Sequence, residues 1–208
     1  MTAETQTAGR GRRGRVWKDT PGASVLMSII LRTSLPAARV ATLSIAAGVA
    51  VAEALRDVAG VDARLKWPND ALVDGRKIAG VLLERHGEAV ILGIGINVTR
   101  DAVPADLDAL ATSIERERND AERVDRDVVL QAVVDAVARW RGTLERDGFE
   151  PVRARWTALA MMLGRRVTVD GVAGIARGLD VDGALLIESE EPSSRREVTR
   201  VVAGDVMG

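Results

Sequence analysis

The apolar positions of the chain change period several times, and each change marks an element. Residues 24–31 form a short, β-branched apolar run behind the turn signal Asp19-Thr20-Pro21-Gly22, which predicts a buried strand. Pro36 can open a helix, residues 37–58 continue it with few breakers apart from Gly48, and Gly60 closes it. Its Ala-rich face suits close packing on a sheet. Residues 64–67 read as a short extended segment ended by Pro68-Asn69-Asp70. Asp74-Gly75 has the form of a two-residue hairpin turn joining residues 71–73 to a strand over 77–84. Gly87-Glu88 gives a second turn, and residues 89–98 a further strand containing Gly93 and Gly95. A meander of this kind beside a long helix is an α+β pattern.

From Pro104 the texture changes. Leu107, Leu110 and Ile114 predict a short helix running into a charged, solvated stretch over 115–126. Residues 128–146 form an amphipathic helix with Val129, Leu130, Val133, Val137, Trp140 and Leu144 inward, stopped at Asp147-Gly148. Val152, Trp156 and Leu159 mark another short helix over 150–160. After Gly164, residues 166–170, 174–179, 184–188 and 197–200 alternate in short runs between Gly and Asp turns, the pattern of a small SH3-like barrel. A unit of that size is expected to pack on the rest of the chain rather than stand alone. Residues 2–8 leave little room for structure.

Composition narrows the chemistry. The 208 residues are 47% hydrophobic with one Phe, no Tyr and four Trp, so the core is built of Val, Leu, Ile and Ala. Twenty-nine basic and 30 acidic residues give a net charge of −1, which argues against a general nucleic-acid binder. There is no Cys, so disulfides, thiolate zinc sites and cysteine nucleophiles are excluded. His86 is the single histidine; it rules out a multi-histidine metal site, speaks against a Ser-His-Asp triad and reads as a turn residue. Residues 41–52, the most apolar stretch, are too short and Ala/Gly-rich to span a bilayer, and residues 1–6 show no leader. The expectation is a cytoplasmic protein without a membrane partner.

Three stretches carry candidate chemistry. Gly9-Arg10-Gly11-Arg12-Arg13-Gly14-Arg15 places four guanidinium groups among three glycines, ahead of Val16-Trp17. Such a segment can bend backbone N–H groups and planar cations around an anion, with phosphate the natural candidate. The same composition also suits a nucleic-acid-binding arm or a solvated loop. Lys66-Trp67-Pro68-Asn69-Asp70 can aim a cation into a pocket or simply cover an apolar Trp with a surface Lys. Asp70 suits Mg²⁺ or ordinary turn chemistry. Gly93 and Gly95 share one strand face with Asn97, and Gly80 leaves a matching gap on the neighbouring strand. That bare face receives either a packed backbone or a flat ligand, with the Asn97 amide placed to read an adenine or ureido group.

Together, residues 3–17, Lys66-Trp67-Pro68-Asn69-Asp70, residues 77–84 and residues 93–98 closely resemble biotin protein ligase, in order and spacing, nearly end to end. The resemblance implies a fold of the class II aminoacyl-tRNA synthetase/biotin ligase type, a mixed or antiparallel sheet with packed helices over 1–160 and an SH3-like C-terminal domain over 161–208. It also implies an ATP-dependent ligase forming an amide bond. Biotin attacks the α-phosphate of MgATP to give biotinyl-5′-AMP, and a lysine of the biotin carboxyl carrier protein displaces AMP. On this reading Lys66 and Arg12 are catalytic, while Gln6, Gly9, Arg10, Gly11, Arg12, Lys66, Gly80, Gly93 and Gly95 hold biotin or the adenylate. Arg10, Arg12 and Asn97 meet the nucleotide, residues 99–112 cover it, and no residue holds a resident metal. ATP and Mg²⁺ are the required partners of the reaction, and a homodimer is compatible with the family. One departure is expected to matter. The family's Ser/Thr-Thr-Asn biotin motif, upstream of the basic loop, has no counterpart here, so the alternative is an impaired remnant that binds nucleotide or a partner without ligating biotin. No nucleic-acid-binding or repressor function is expected of this chain.

Overall fold

The computed structural model describes residues 1–33, 35–87, 89–118, 120, 122–190 and 197–207. Glu88, half of the expected second turn, lies outside them. The first sheet consists of β1 (Thr2–Ala3), β2 (Ser24–Arg32), β3 (Arg64–Lys66), β4 (Asp70–Val73), β5 (Arg76–His86) and β6 (Ala89–Asn97), in the order β1-β2-β6-β5-β4-β3. Every ladder in it is antiparallel, so the mixed alternative is not realised. Among the described residues parallel pairing is confined to single bridges, Leu65 with Ala160 and Lys77 with Ala111.

Register sorts the side chains of this sheet onto two faces. Val25, Met27, Ile29 and Leu31 of β2 lie beside Ile96, Ile94, Leu92 and Val90 of β6, and Ile96 and Ile94 beside Ala79 and Val81 of β5. This face packs on α1 (Thr42–Ala59), whose residues 49–52 are wholly buried. The helical stretch Ala37–Ala59 is 23 residues long and apolar enough to cross a membrane, longer than the 41–52 run suggested. Here it is the core helix, begun by a 3-10 turn at Ala37–Arg39 and ended by Gly60 at φ 67°. Leu26, Ser28 and Ile30 of β2, Gly95, Gly93 and Ile91 of β6, and Gly80, Leu82 and Glu84 of β5 line up on the opposite face.

The rest of the chain backs the core. The expected helix from residue 104 resolves into a 3-10 turn at Ala105–Leu107 and the single turn α2 (Ile114–Glu117). Helix α3 (Arg126–Asp147), capped by Asp125 accepting from the Asp127 amide at 2.8 Å, buries Val129, Val133, Ala136, Val137 and Leu144. Next, α4 (Glu150–Leu159) carries Trp156 inward. The second sheet holds β7 (Arg166–Val169), β8 (Val172–Leu179), β9 (Leu185–Glu188), β10 (Val198–Val201) and β11 (Val206–Met207) in the order β10-β9-β8-β7-β11. No ladder joins β10 to β11 among the described residues, so it is an open antiparallel sheet rather than a closed barrel. Trp67 fastens the two sheets: it is 2% exposed, and its indole N–H donates to the Gly183 carbonyl at 3.0 Å.

Glu53 joins the three main helices. It accepts hydrogen bonds from Trp140 Nε1 at 2.7 Å, Arg139 Nη2 at 2.9 Å and Arg155 Nε at 2.6 Å. Burial alone raises this carboxyl, but the bonds from Trp140, Arg155 and Arg139 and the Arg155 charge outweigh it, so its pKa lies below the usual glutamate value. A depressed folded-state pKa contributes stability that is present above the unfolded value and lost as pH falls through the folded one. Glu53→Gln is therefore expected to cost about 2 kcal/mol at neutral pH, with the difference shrinking below about pH 4, as read by urea unfolding.

Candidate active site

The glycine-lined face of the first sheet floors a cavity of about 390 Å³. Its side walls are the 9–17 loop and residues 102–111. The loop is pinched into a narrow antiparallel turn, with the Trp17 amide donating to Gly9 O at 3.1 Å and the Gly11 amide to Arg15 O at 2.7 Å. A Cβ on Gly9 would stand 2.4 Å from the Trp17 carbonyl, so only glycine permits this closure. The other wall is fixed to the sheet at Lys77, whose amide donates to Leu110 O and whose carbonyl accepts from the Thr112 amide, each at 2.9 Å. Lys18 and Asp106 join the two walls at 2.8 Å.

Across the floor runs one transverse row: Ala3, Leu26, Gly95, Gly80, Asp70 and Lys66 are successive register partners. The bare surface over Gly95 and Gly80 is covered by neither a backbone nor open space but by the indole of Trp17. Its Cζ2 lies 2.8 Å from where a Gly95 Cβ would sit, and its Cζ3 3.3 Å from that of Gly80. The indole N–H is buried there without a partner. Next to it stands Lys77, with Nζ 5.6 Å from the Trp17 ring centroid and 2.6 Å from Asp70 Oδ1. Gly93 leaves the neighbouring floor open, its nearest contact being Leu82 O at 3.6 Å from the would-be Cβ.

The expected residues distribute unevenly over this geometry. Gln6, Arg10, Gly11, Arg12, Gly80, Gly93, Gly95 and Asn97 all line the cavity. Gly9 supports it from behind, against the Gln6 side chain. Lys66 does not line it. It sits on the outermost strand, two strand spacings (roughly 10 Å) from Gly80, with Asp70 and Lys77 in between. The lysine brought to the cavity is Lys77. Asn97 is 5% exposed, and its Nδ2 donates to Thr112 O at 2.9 Å, so the amide fastens the covering segment rather than reaching freely for a base. Asp70 is engaged by Lys77, and among the described residues no cluster of three metal-ligating side chains occurs. His86 ends β5, away from the cavity.

Cationic charge flanks the floor along β5, with Lys77 beside Gly80 and Arg10 four residues further on at Glu84. Arg10 holds Glu84 with both Nη atoms, at 2.9 and 2.7 Å. Arg12 reaches Asn69 Oδ1 at 3.3 Å and Gly204 O at 3.2 Å. Burial lowers its pKa from the ordinary guanidinium value, opposed by Asp205 and Asp70 and reinforced by Arg13 and Arg15. A group so far above neutrality remains a cation. The cavity thus offers a glycine-floored slot at Gly93 with the Lys77 ammonium on one side of it, beside Gly80, and the Arg10 guanidinium on the other, at Glu84, which suits a flat ligand next to a polyanion.

Residues 1–101 match the model of the Biotin/lipoate A/B protein ligase family. The chain is 38% identical over 212 residues to the biotin--[acetyl-CoA-carboxylase] ligase of Paracoccus denitrificans, covering 95% of this chain and 86% of that relative. It is 37% identical over 202 residues to the bifunctional ligase/repressor BirA of Bacillus subtilis, covering 92% of this chain; it spans only 62% of the length of that relative and of its Bacillus spizizenii counterpart. The biotin protein ligase from Aquifex aeolicus solved in complex with biotin and ATP superposes with a TM-score of 0.87 at 28% identity, over 99% of this chain and 86% of that one. The chain belongs to the biotin protein ligase family.

Proposed function

We propose that the protein is an ATP-dependent biotin ligase acting on a lysine of the biotin carboxyl carrier unit of a carboxylase. The observation that carries this reading is the meeting in one cavity of Arg10, Arg12 and Lys77 with the slot over Gly93. In the first step a carboxylate oxygen of biotin attacks the α-phosphorus of MgATP. The bond from that phosphorus to the β-phosphate oxygen breaks, and pyrophosphate leaves. Both reactants are negative, so the step needs cations that neutralise charge where they meet. Lys77 is fixed by Asp70 beside Gly80, where it can touch carboxylate and α-phosphate together, and Arg12, bonded to Asn69, and Arg10, on Glu84, are the cations available to the leaving pyrophosphate. In the second step the acceptor amine attacks the acyl carbon, the bond to AMP oxygen breaks, and the nitrogen loses a proton. Walls formed by the loop and residues 102–111 keep water from the mixed anhydride.

The acceptor follows from the Paracoccus denitrificans and Mycobacterium tuberculosis relatives, both named as acting on acetyl-CoA carboxylase. Mg²⁺ enters with ATP as substrate. We also read residues 1–160 as the catalytic unit, the open C-terminal sheet as an SH3-like unit over 161–208, and the cytoplasm as the site of action. Biotin-dependent exchange of labelled pyrophosphate into ATP tests the first step. Exchange that requires biotin is expected, and its absence at saturating biotin and MgATP overturns the proposal.

A further inference from the structure

Three of the four arginines in the 9–17 loop are tied to the C-terminal sheet, a connection that cavity chemistry does not demand. Arg13 bonds Asp170 with both Nη atoms, Nη1 to Oδ1 at 2.9 Å. Arg15 Nη2 lies 2.6 Å from Asp205 Oδ1, and Asp205 is also 4.0 Å from Arg12 and from Arg13. Arg12 in turn donates to the carbonyl of Gly204. Arg13 alone of the four is absent from the cavity lining. It also holds φ 55°, the one positive value among the described residues that belongs to neither glycine nor aspartate. Asp170 adopts such a value as half of an Asp-Gly hairpin turn, which suits that residue pair. For an arginine the left-handed region is unfavourable.

We propose that Asp170 and Asp205 are positioning residues for ATP: by holding Arg13 and Arg15 on the C-terminal sheet, they fix the loop so that Arg12 and Arg10 face the phosphates. This rests on the ligase reading of the cavity. The loop's 3-10 turn buries no side chain, so no packed core sets its shape. Four guanidinium groups within six residues repel one another, and the strained Arg13 backbone adds to the cost of the observed conformation. Exposed ion pairs are individually weak. They act here on the tip of the loop, beyond the Gly9–Trp17 bond and the Trp17 indole that fasten its base, and Asp205 is shared among three of the cations. The hydrogen bonds and charge attraction between Arg13 and Asp170 raise the first pKa and lower the second, consistent with a formed pair.

The test uses the full chain with Asp170→Asn and Asp205→Asn combined. Hydrogen exchange at the amides of Gly11, Arg15 and Trp17 is expected to accelerate, while that of α1 and β6 is unchanged. The Kd for ATP by calorimetry and the ATP KM are expected to rise about tenfold with kcat retained at saturating ATP. Asp170→Glu, which keeps the carboxylate, is expected to retain more of the ATP affinity than Asp170→Asn does. Loop amides exchanging at the wild-type rate overturn the clamp, as does faster exchange with unchanged ATP affinity. A wild-type chain that binds ATP but shows no pyrophosphate exchange refutes the ligase reading instead, and the exchange rates and calorimetry still decide the clamp.

Discussion

Lys77→Ala is expected to lower the rate of biotin-dependent pyrophosphate exchange by about 10²- to 10³-fold, the loss typical of removing one charge-stabilising donor from a reacting centre. Lys66→Ala is expected to stay within about twofold of wild type, as a surface change outside the site should. The contrast is geometric. Lys77 Nζ stands over the glycine row, 2.6 Å from Asp70 and against the face of Trp17, whereas Lys66 lies beyond Asp70 on the sheet's last strand. Asp70 holds the ammonium in place, so Asp70→Asn should reduce exchange less than Lys77→Ala does. Lys77→Arg keeps the charge but replaces a compact ammonium by a planar fork, and is expected to rescue only a minor part of the rate. If Lys66→Ala were the inactive variant and Lys77→Ala the active one, the assignment would be reversed.

Lys77 was hidden in the sequence for a definable reason. Alternation along a strand puts Lys77 on the face of Ala79, opposite Gly80. The pairing of β4 with β5 slips between Ala71 and Leu72, so that Ala71 faces Ala79 while Leu72 faces Lys77, and Ile78 is the extra residue. This bulge turns Ile78 into the core, fully buried, and brings Lys77 onto the face of Gly80. Nothing local announces a bulge at Ile78. Glycine positions, by contrast, were legible, because a bare strand face needs only period two to be recognised. Trp17 covering that face was not, since it depends on the loop folding back over a sheet far along the chain.

The fold shows the same division. The Asp74-Gly75 hairpin, Gly60 at the end of the core helix, and the 3.6-residue stripe from Val129 to Leu144 are written in local chemistry, and the antiparallel sheet with packed helices follows from them. The two-residue strands at Thr2–Ala3 and Val206–Met207 exist only through the partners that receive them. Asn97 read as a ligand-facing amide because its residue type suits one. Its hydrogen bond to Thr112 is set by where the covering segment crosses the sheet, which no spacing records. The ties from Arg12, Arg13 and Arg15 to Gly204, Asp170 and Asp205 span more than 150 residues of sequence.

Gly95→Ala and Gly93→Ala should separate the two jobs of the glycine floor. A methyl group at Gly95 meets Trp17 Cζ2 at 2.8 Å and Cε2 at 2.9 Å, so the indole has to leave. Trp17 is bonded through its amide to Gly9, and the loop must move with it. Gly95→Ala is therefore expected to disturb both ends of the cavity, weakening biotin about 100-fold and ATP to a lesser degree, by calorimetry. At Gly93 the same methyl meets only ordinary contacts, with Leu82 O at 3.6 Å and Leu82 Cβ at 3.8 Å. Gly93→Ala should fold with the wild-type Tm and bind ATP normally, yet lose biotin affinity by about tenfold, because the methyl occupies floor that only a ligand needs. A Gly93→Ala protein with unaltered biotin affinity would move the biotin slot elsewhere and leave Gly93 as a packing residue of β6.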